Sequence, residues 1–233
     1  METKILKIYK WWLYIGLTIW NVYFFANGNA LPLYADLLIL IMYILNRAWK
    51  ANKFPRWWYT HRGYLPYFLI ALGMVLLEET LAGLINNINE GFAIPLFLTR
   101  VGQFWAFNLL AFAGLIFALA FIHKLRLLTK KESVLLVSLF GIYAEHVYMF
   151  IVSNFLIFLV YAPLVIFIYY LIFAPSLYFL SGEEIHTRSW PQIIRYVVAV
   201  VLVFCMSLPF IGALSKLRAT HPDNFPPCSM IAC

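Results

Sequence analysis

Apolar and polar positions alternate along this chain in long blocks, with no short period. Seven apolar runs cover roughly 8–25, 31–45, 64–85, 103–122, 133–153, 155–180 and 193–214. Short polar stretches separate them. A helix rising 1.5 Å per residue needs about 20 apolar residues to cross a bilayer core of about 30 Å. The stretch from Ser133 to Leu180 is nearly all apolar and too long for one crossing, so it is divided at Ser153-Asn154, with Pro163 inside the second half. The pattern predicts an all-α integral membrane protein. It is a bundle of about seven transmembrane helices that forms a single polytopic domain over residues 1–233.

Charge placement gives the runs a direction. Of the seventeen Lys and Arg, fourteen fall on loops that share one side of a seven-span bundle. Only Arg100, Lys216 and Arg218 fall on the other. Lys and Arg collect on the cytoplasmic side of membrane proteins, so the N-terminus is expected inside and the C-terminus outside. This orientation is opposite to that of rhodopsins and seven-helix receptors. The last span also has no mid-depth Lys for a retinal Schiff base.

Composition agrees: 64% of residues are hydrophobic and 12% charged, against about 25% charged in soluble domains. The net charge of +7 lies beside the spans, as topogenic charge facing anionic headgroups does, and does not imply a nucleic-acid partner. The first run is too long for a signal-peptide core and lacks a small-residue cleavage site. Loop 46–62 interleaves five cations with Trp57, Trp58 and Tyr59. It reads as a basic loop with an aromatic belt, or as an amphipathic segment on the bilayer surface. Cys228 and Cys233 are five positions apart in the outward tail, a spacing compatible with a disulfide in an oxidising compartment. Cys205, inside the last span, reads as a small apolar side chain.

The candidate chemistry lies in the few polar groups within apolar runs. Glu78 and Glu79 fall in span 3, Asn108 in span 4, and Glu145 and His146 in span 5. Counting from the inner ends, Glu79 lies about 22 Å deep and Glu145 about 18 Å deep. A charge at the bilayer centre costs about 2.5–3.5 kcal/mol on insertion scales, so such groups face the bundle interior and mark function. Asn86 and Arg100 lie nearer the outer link. Together these residues predict a polar pocket in the outer half of spans 3–5. Glu78, Glu79, Glu145 and His146 are the acid–base candidates, and Asn86, Asn108 and Arg100 the substrate-binding ones. Carboxylates and an imidazole in low dielectric have displaced pKa values, as acid–base groups need. The same residues also suit a hydrogen-bond network joining three helices. No ExxH or HxxxH pair puts two metal ligands on one helix face, so no metal or other cofactor is expected.

Glu78-Glu79 resembles the start of the EExxxR motif of glutamate intramembrane proteases. Gly83 stands at the Arg position, however, and Phe150 where an HxxxN pattern from His146 needs Asn. VSLFGIYAEHVYMF and VYAPLVIFIYYLIF, within 105–180, resemble in kind the later helices of the emopamil-binding sterol-isomerase group, with Asn108 where an acid is expected. A seven-span, N-in bundle with a Glu in span 3 also resembles subunit III of haem-copper oxidases, without its His-rich signatures. From the residues themselves, the expected function is a membrane-embedded enzyme applying Glu/His acid–base chemistry to an apolar, lipid-like substrate of prenyl, sterol or carotenoid type. Its expected partners are membrane lipids, that substrate and other membrane proteins. A proton- or cation-coupled transporter and a non-catalytic subunit of a larger complex are the alternatives.

Overall fold

The computed structural model describes residues 2–51, 53, 60, 62–180 and 189–221, with side chains from residue 8 onward. The aromatic stretch 54–59, Glu183, Glu184, His186 and the Cys228–Cys233 pair lie outside the described residues. Within them the regular elements are helical: α1 (Glu2–Ala26), α2 (Leu31–Lys50), α3 (Tyr64–Asn89), α4 (Ile94–Lys124), α5 (Lys130–Ala144), a 3-10 turn (Val147–Met149), α6 (Phe150–Ser153), α7 (Phe155–Leu180) and α8 (Gln192–Thr220).

Five of these, α2, α3, α4, α7 and α8, are long and apolar enough to cross a membrane. A sixth crossing is reached if α5 and the segment Val147–Ser153, bent by 71° at their junction, count as one span. The helix α1 is not among the five, because Lys10, Asn21 and its tyrosines dilute its apolarity. The outside of the bundle is apolar: Leu156 is 74% exposed, Ile193 74% and Leu208 64%. Soluble monomers rarely leave contiguous apolar patches beyond a few hundred Å² open to water. An outside of this kind fits a multi-pass membrane protein.

The helix α7 is the centre of the bundle and packs against α1, α2, α3 and α5. On the far side of α3, α4 packs against both α3 and α8. Small residues set the closest approaches. A Cβ on Gly114 of α4 would come within 2.4 Å of Ser207 Cα of α8, so the two backbones nearly touch there. On α1, a Cβ at Gly16 would meet Val160 O of α7 at 2.9 Å. Small residues let helices approach closely where burial of apolar surface gives little drive in lipid.

The α1–α7 contact has a backbone cause. Pro163 inside α7 has no N–H to donate to the carbonyl four residues earlier, which is Leu159 O. That oxygen instead accepts from Trp12 Nε1 of α1 at 2.6 Å.

Loops gather at two ends. At one, Asn89 Oδ1 accepts from Ala30 N at 2.9 Å, and its amide donates to Asn29 Oδ1 at 3.2 Å. This ties the α1–α2 turn to the end of α3. At the other, α8 is latched to the α4–α5 link. The buried Arg195 donates to Leu127 O at 2.8 Å and lies 3.6 Å from Glu132. Glu132 also closes a capping box with Thr129 at the start of α5. Beside it, the buried pair His123 Nε2 and Ser133 Oγ lie 3.0 Å apart.

The expected fifth span is not continuous. The helix α5 stops at Ala144, and His146 takes a left-handed conformation with φ 54°. His146 N bonds back to Tyr143 O at 3.1 Å, which tightens the chain into a turn. No Gly or Pro marks this break in the sequence. The fourth helix also begins earlier than its apolar run, at Ile94 with Pro95 in its first turn, where a missing N–H costs nothing. Arg100, expected in a link, is therefore helical.

Candidate functional site

Adjacent residues on a helix point about 100° apart, and α3 uses that separation to address two neighbours at once. Glu78 faces α2, where Tyr34 Oη donates a short hydrogen bond to its Oε1. Glu79, only 6% exposed, faces α4 and has Asn108 as a side-chain hydrogen-bond partner. The two carboxyl groups also interact with each other through a side-chain hydrogen bond. Glu78 Oε2 is buried and has no partner among the described residues.

The third carboxylate comes from the helix break. Glu145 caps the C-terminal end of α5, and its Oε1 accepts from Tyr169 Oη of α7 at 3.0 Å. The Tyr169 ring lies flat against Gly141, where a Cβ would sit 2.7 Å from it. Phe112 and Phe140 flank the same ring, with centroids 5.8 and 6.5 Å away. The hydroxyl is thereby held in one place. Glu145 lies within electrostatic reach of Tyr34, Glu78, Glu79 and Tyr161. The residue itself is exposed, as is His146. The cluster is thus closed at Glu79 and open at the break.

Of the four acid–base candidates, Glu78 and Glu79 therefore adjoin each other beside Asn108, and Glu145 reaches them only electrostatically. The His146 ring is turned toward Tyr148, with centroids 6.2 Å apart, and reaches Glu145 only electrostatically. Arg100 lies eight residues from Asn108, about 12 Å along α4, and pairs with Glu90 at 3.3 Å. Asn86 lies seven residues beyond Glu79, about 10 Å along α3. Neither of these two reaches the carboxylates.

Two residues of the cluster, Tyr34 and Tyr169, carry no signal that sets them apart in the sequence among fifteen tyrosines. Asp36, inside the second apolar run, does carry one: it is an acid within an apolar stretch. It accepts a hydrogen bond from Asn21 of α1 at 3.5 Å.

Beside the cluster, α2, α3 and α7 enclose an apolar groove of about 640 Å³. It runs from Ile39 and Met74 down to Trp49 and Tyr178. Met74 lies one helical turn before Glu78 on the same face of α3. Leu38, Leu81 and Leu171 pack together with Tyr34 against them, and Leu171 also lines the groove. Among the described residues, no group of three or more His, Cys, Asp or Glu is arranged to hold a metal. Acids and hydroxyls from separate helices within electrostatic reach of one another are a set that can move protons.

No protein-family model, curated protein or solved structure matches the chain.

Proposed function

We propose that this chain is a membrane-embedded enzyme that moves protons on an apolar, lipid-like substrate. The observation that carries the reading is the convergence of Glu78, Glu79 and Glu145 with Asn108, Tyr34 and Tyr169, one helical turn from an apolar groove. Five helices contribute to it, α5 through its C-terminal cap. Burying Glu78 and Glu79 in an apolar bundle costs free energy unless each is paired, and Glu78 Oε2 has no partner among the described residues.

The chemistry is an isomerisation or cyclisation. A protonated carboxyl of the Glu78–Glu79 pair donates its proton to one carbon of a double bond. A second carboxylate, Glu145, takes a proton from a neighbouring carbon, and the double bond re-forms one position away. Protons balance and no redox partner is needed. Tyr34 and Tyr169 hold the two ends of the relay, and Asn108 orients Glu79. His146, at the open edge of the cluster, orients Glu145 or accepts the proton that Glu145 takes from the substrate, so that Glu145 returns to its ionised form. The surrounding aromatics can stabilise a carbocation.

The topology that goes with this reading has seven crossings, N-terminus cytoplasmic and C-terminus outside. Alternation of charge supports it. So does the gathering of the α1–α2 and α3–α4 links at one end of the bundle and of Lys50, Arg62 and the α4–α5 link at the other. The α5–α6 pair then forms one broken crossing, and α1 is the first.

Native mass spectrometry of the protein released in mild detergent, followed by lipid analysis of the producing membranes, tests the enzyme reading. A co-bound small mass, and a lipid whose level changes with the wild-type chain but not with Glu79→Gln or Glu145→Gln, is the expected result. If Glu78→Gln, Glu79→Gln and Glu145→Gln all leave the lipid profile of the wild type, the reading is wrong.

One observation favours a second reading. Transporters place ion sites at discontinuous helices, and α5 breaks at an exposed carboxylate. Uptake into liposomes driven by a proton gradient, and abolished by Glu145→Gln, would move the assignment to proton-coupled transport.

A further inference from the structure

The groove between α2, α3 and α7 is apolar along its length, but its two ends differ. The end at Met74 lies one turn from Glu78. The opposite end, on the side of the α2–α3 link, has aromatics with cations set against them. Trp49 meets Tyr178 edge-on at 5.3 Å. The Arg62 guanidinium sits 4.6 Å over the Tyr178 ring and donates to its hydroxyl at 3.0 Å. Lys130 Nζ approaches the same ring at 5.6 Å. On the facing wall, Arg47 lies 6.0 Å over the ring of Tyr43. Three cations from α2, the α2–α3 link and the start of α5 therefore stand against two rings, Tyr43 and Tyr178, that line the groove.

Topogenic charge alone needs only a position near the membrane surface. It does not need to stand against rings that line a cavity. Arg recognises phosphate through its planar fork, and Lys adds a point charge. The groove's volume falls within the range of about 300–1,000 Å³ typical of small-molecule sites.

We propose that the groove binds a single-chain lipid phosphate. Its hydrocarbon chain lies between α2, α3 and α7, and its phosphate sits on Arg47, Arg62 and Lys130. This rests on the enzyme reading and names its substrate class: an amphiphile with an anionic head whose chain points toward the carboxylates. The head is recognised at one end of the groove and proton transfer takes place beyond the other. Bond changes then fall on carbons remote from the phosphate, and the phosphate itself is not transferred.

The test uses the full chain in nanodiscs of neutral phosphatidylcholine. The probes are geranylgeranyl monophosphate and the alcohol of the same chain, followed by tryptophan fluorescence and native mass spectrometry. The phosphate is expected to bind at least tenfold tighter than the alcohol. Arg62→Gln combined with Lys130→Gln should bring that ratio below about threefold while the alcohol still binds. The retained alcohol shows that the variant is folded. Ala174→Trp, which fills the groove, should remove both ligands. Equal binding of phosphate and alcohol to the wild type, or an unchanged ratio in the rim variant, overturns the proposal. So does displacement of the probe by stoichiometric phosphatidylglycerol, since bulk two-chain phospholipid would then be the occupant. Glu78→Gln, Glu79→Gln and Glu145→Gln should keep the tenfold preference. If they do so while lipid turnover is unaffected, the groove stands and the enzyme reading falls. If they abolish turnover while the preference is absent from the wild type, the reverse holds.

Discussion

Glu145 and Glu78 each receive a hydrogen bond from a tyrosine on a different helix, so each carboxylate has a partner whose removal leaves the helix intact. Tyr169→Phe and Tyr34→Phe should each slow lipid conversion by about tenfold, equivalent to about 1.4 kcal/mol in the barrier, with little change in thermal midpoint. A large loss of midpoint with unchanged conversion would assign the tyrosines to packing. His146 offers a sharper separation. Its left-handed backbone is tolerated by Gly and strained for a β-branched residue. His146→Gly should preserve the α5 break and remove the imidazole, whereas His146→Val should destabilise the fold. Retained conversion in His146→Gly would take the ring out of the chemistry. At this scale the sequence is informative about acids and silent about hydroxyls. Glu78, Glu79, Glu145 and Asn108 stand out because each is costly in an apolar run. Tyr34 and Tyr169 do not, because tyrosine is at home both in lipid-facing packing and in a polar site. Their roles depend on which ring rests on Gly141 and which hydroxyl faces Glu78.

Among the elements, α8 is the most dependent on one contact region. It packs chiefly along α4 and is fastened at one end by Arg195, whose partners are Leu127 of the α4–α5 link and Glu132 in the first turn of α5. Removing one partner of a buried ion pair costs about 3–5 kcal/mol. Arg195→Met should therefore lower detergent stability by roughly that amount, and adding Glu132→Met should recover part of it. Strict additivity of the two substitutions would show that the pair is not coupled. Gly114→Leu places a side chain where the backbone of Ser207 already lies. Overpacking of this kind costs about 1–3 kcal/mol, readable as a lower midpoint of thermal unfolding. The apolar blocks in the sequence located the long helices because hydropathy over some twenty residues averages out local detail. The break at Glu145-His146 escaped the same reading, because it uses no Gly or Pro and is set by a turn within the chain. The groove was equally out of reach, since it exists only through the relative placement of α2, α3 and α7.

Across the whole molecule, the number of crossings decides whether the two ends of the chain share a side. Single cysteines placed at the N-terminus and near Thr220 should label from opposite sides of sealed vesicles if α1 and the broken α5–α6 pair both cross. Labelling from the same side would reduce the count to six. The weight therefore falls on α1, whose contact with the rest of the bundle includes an indole bonded to a carbonyl that Pro163 left without its helical donor. That bond makes two distant positions answer to each other. With Pro163 present, losing Trp12 strands a polar oxygen; with Pro163→Ala, the α7 ladder closes on itself and the indole becomes dispensable. Substitutions at these sites should thus be tolerated in only one order. A lineage that first replaces the proline is free to vary the tryptophan afterwards, while the opposite path crosses a less stable intermediate.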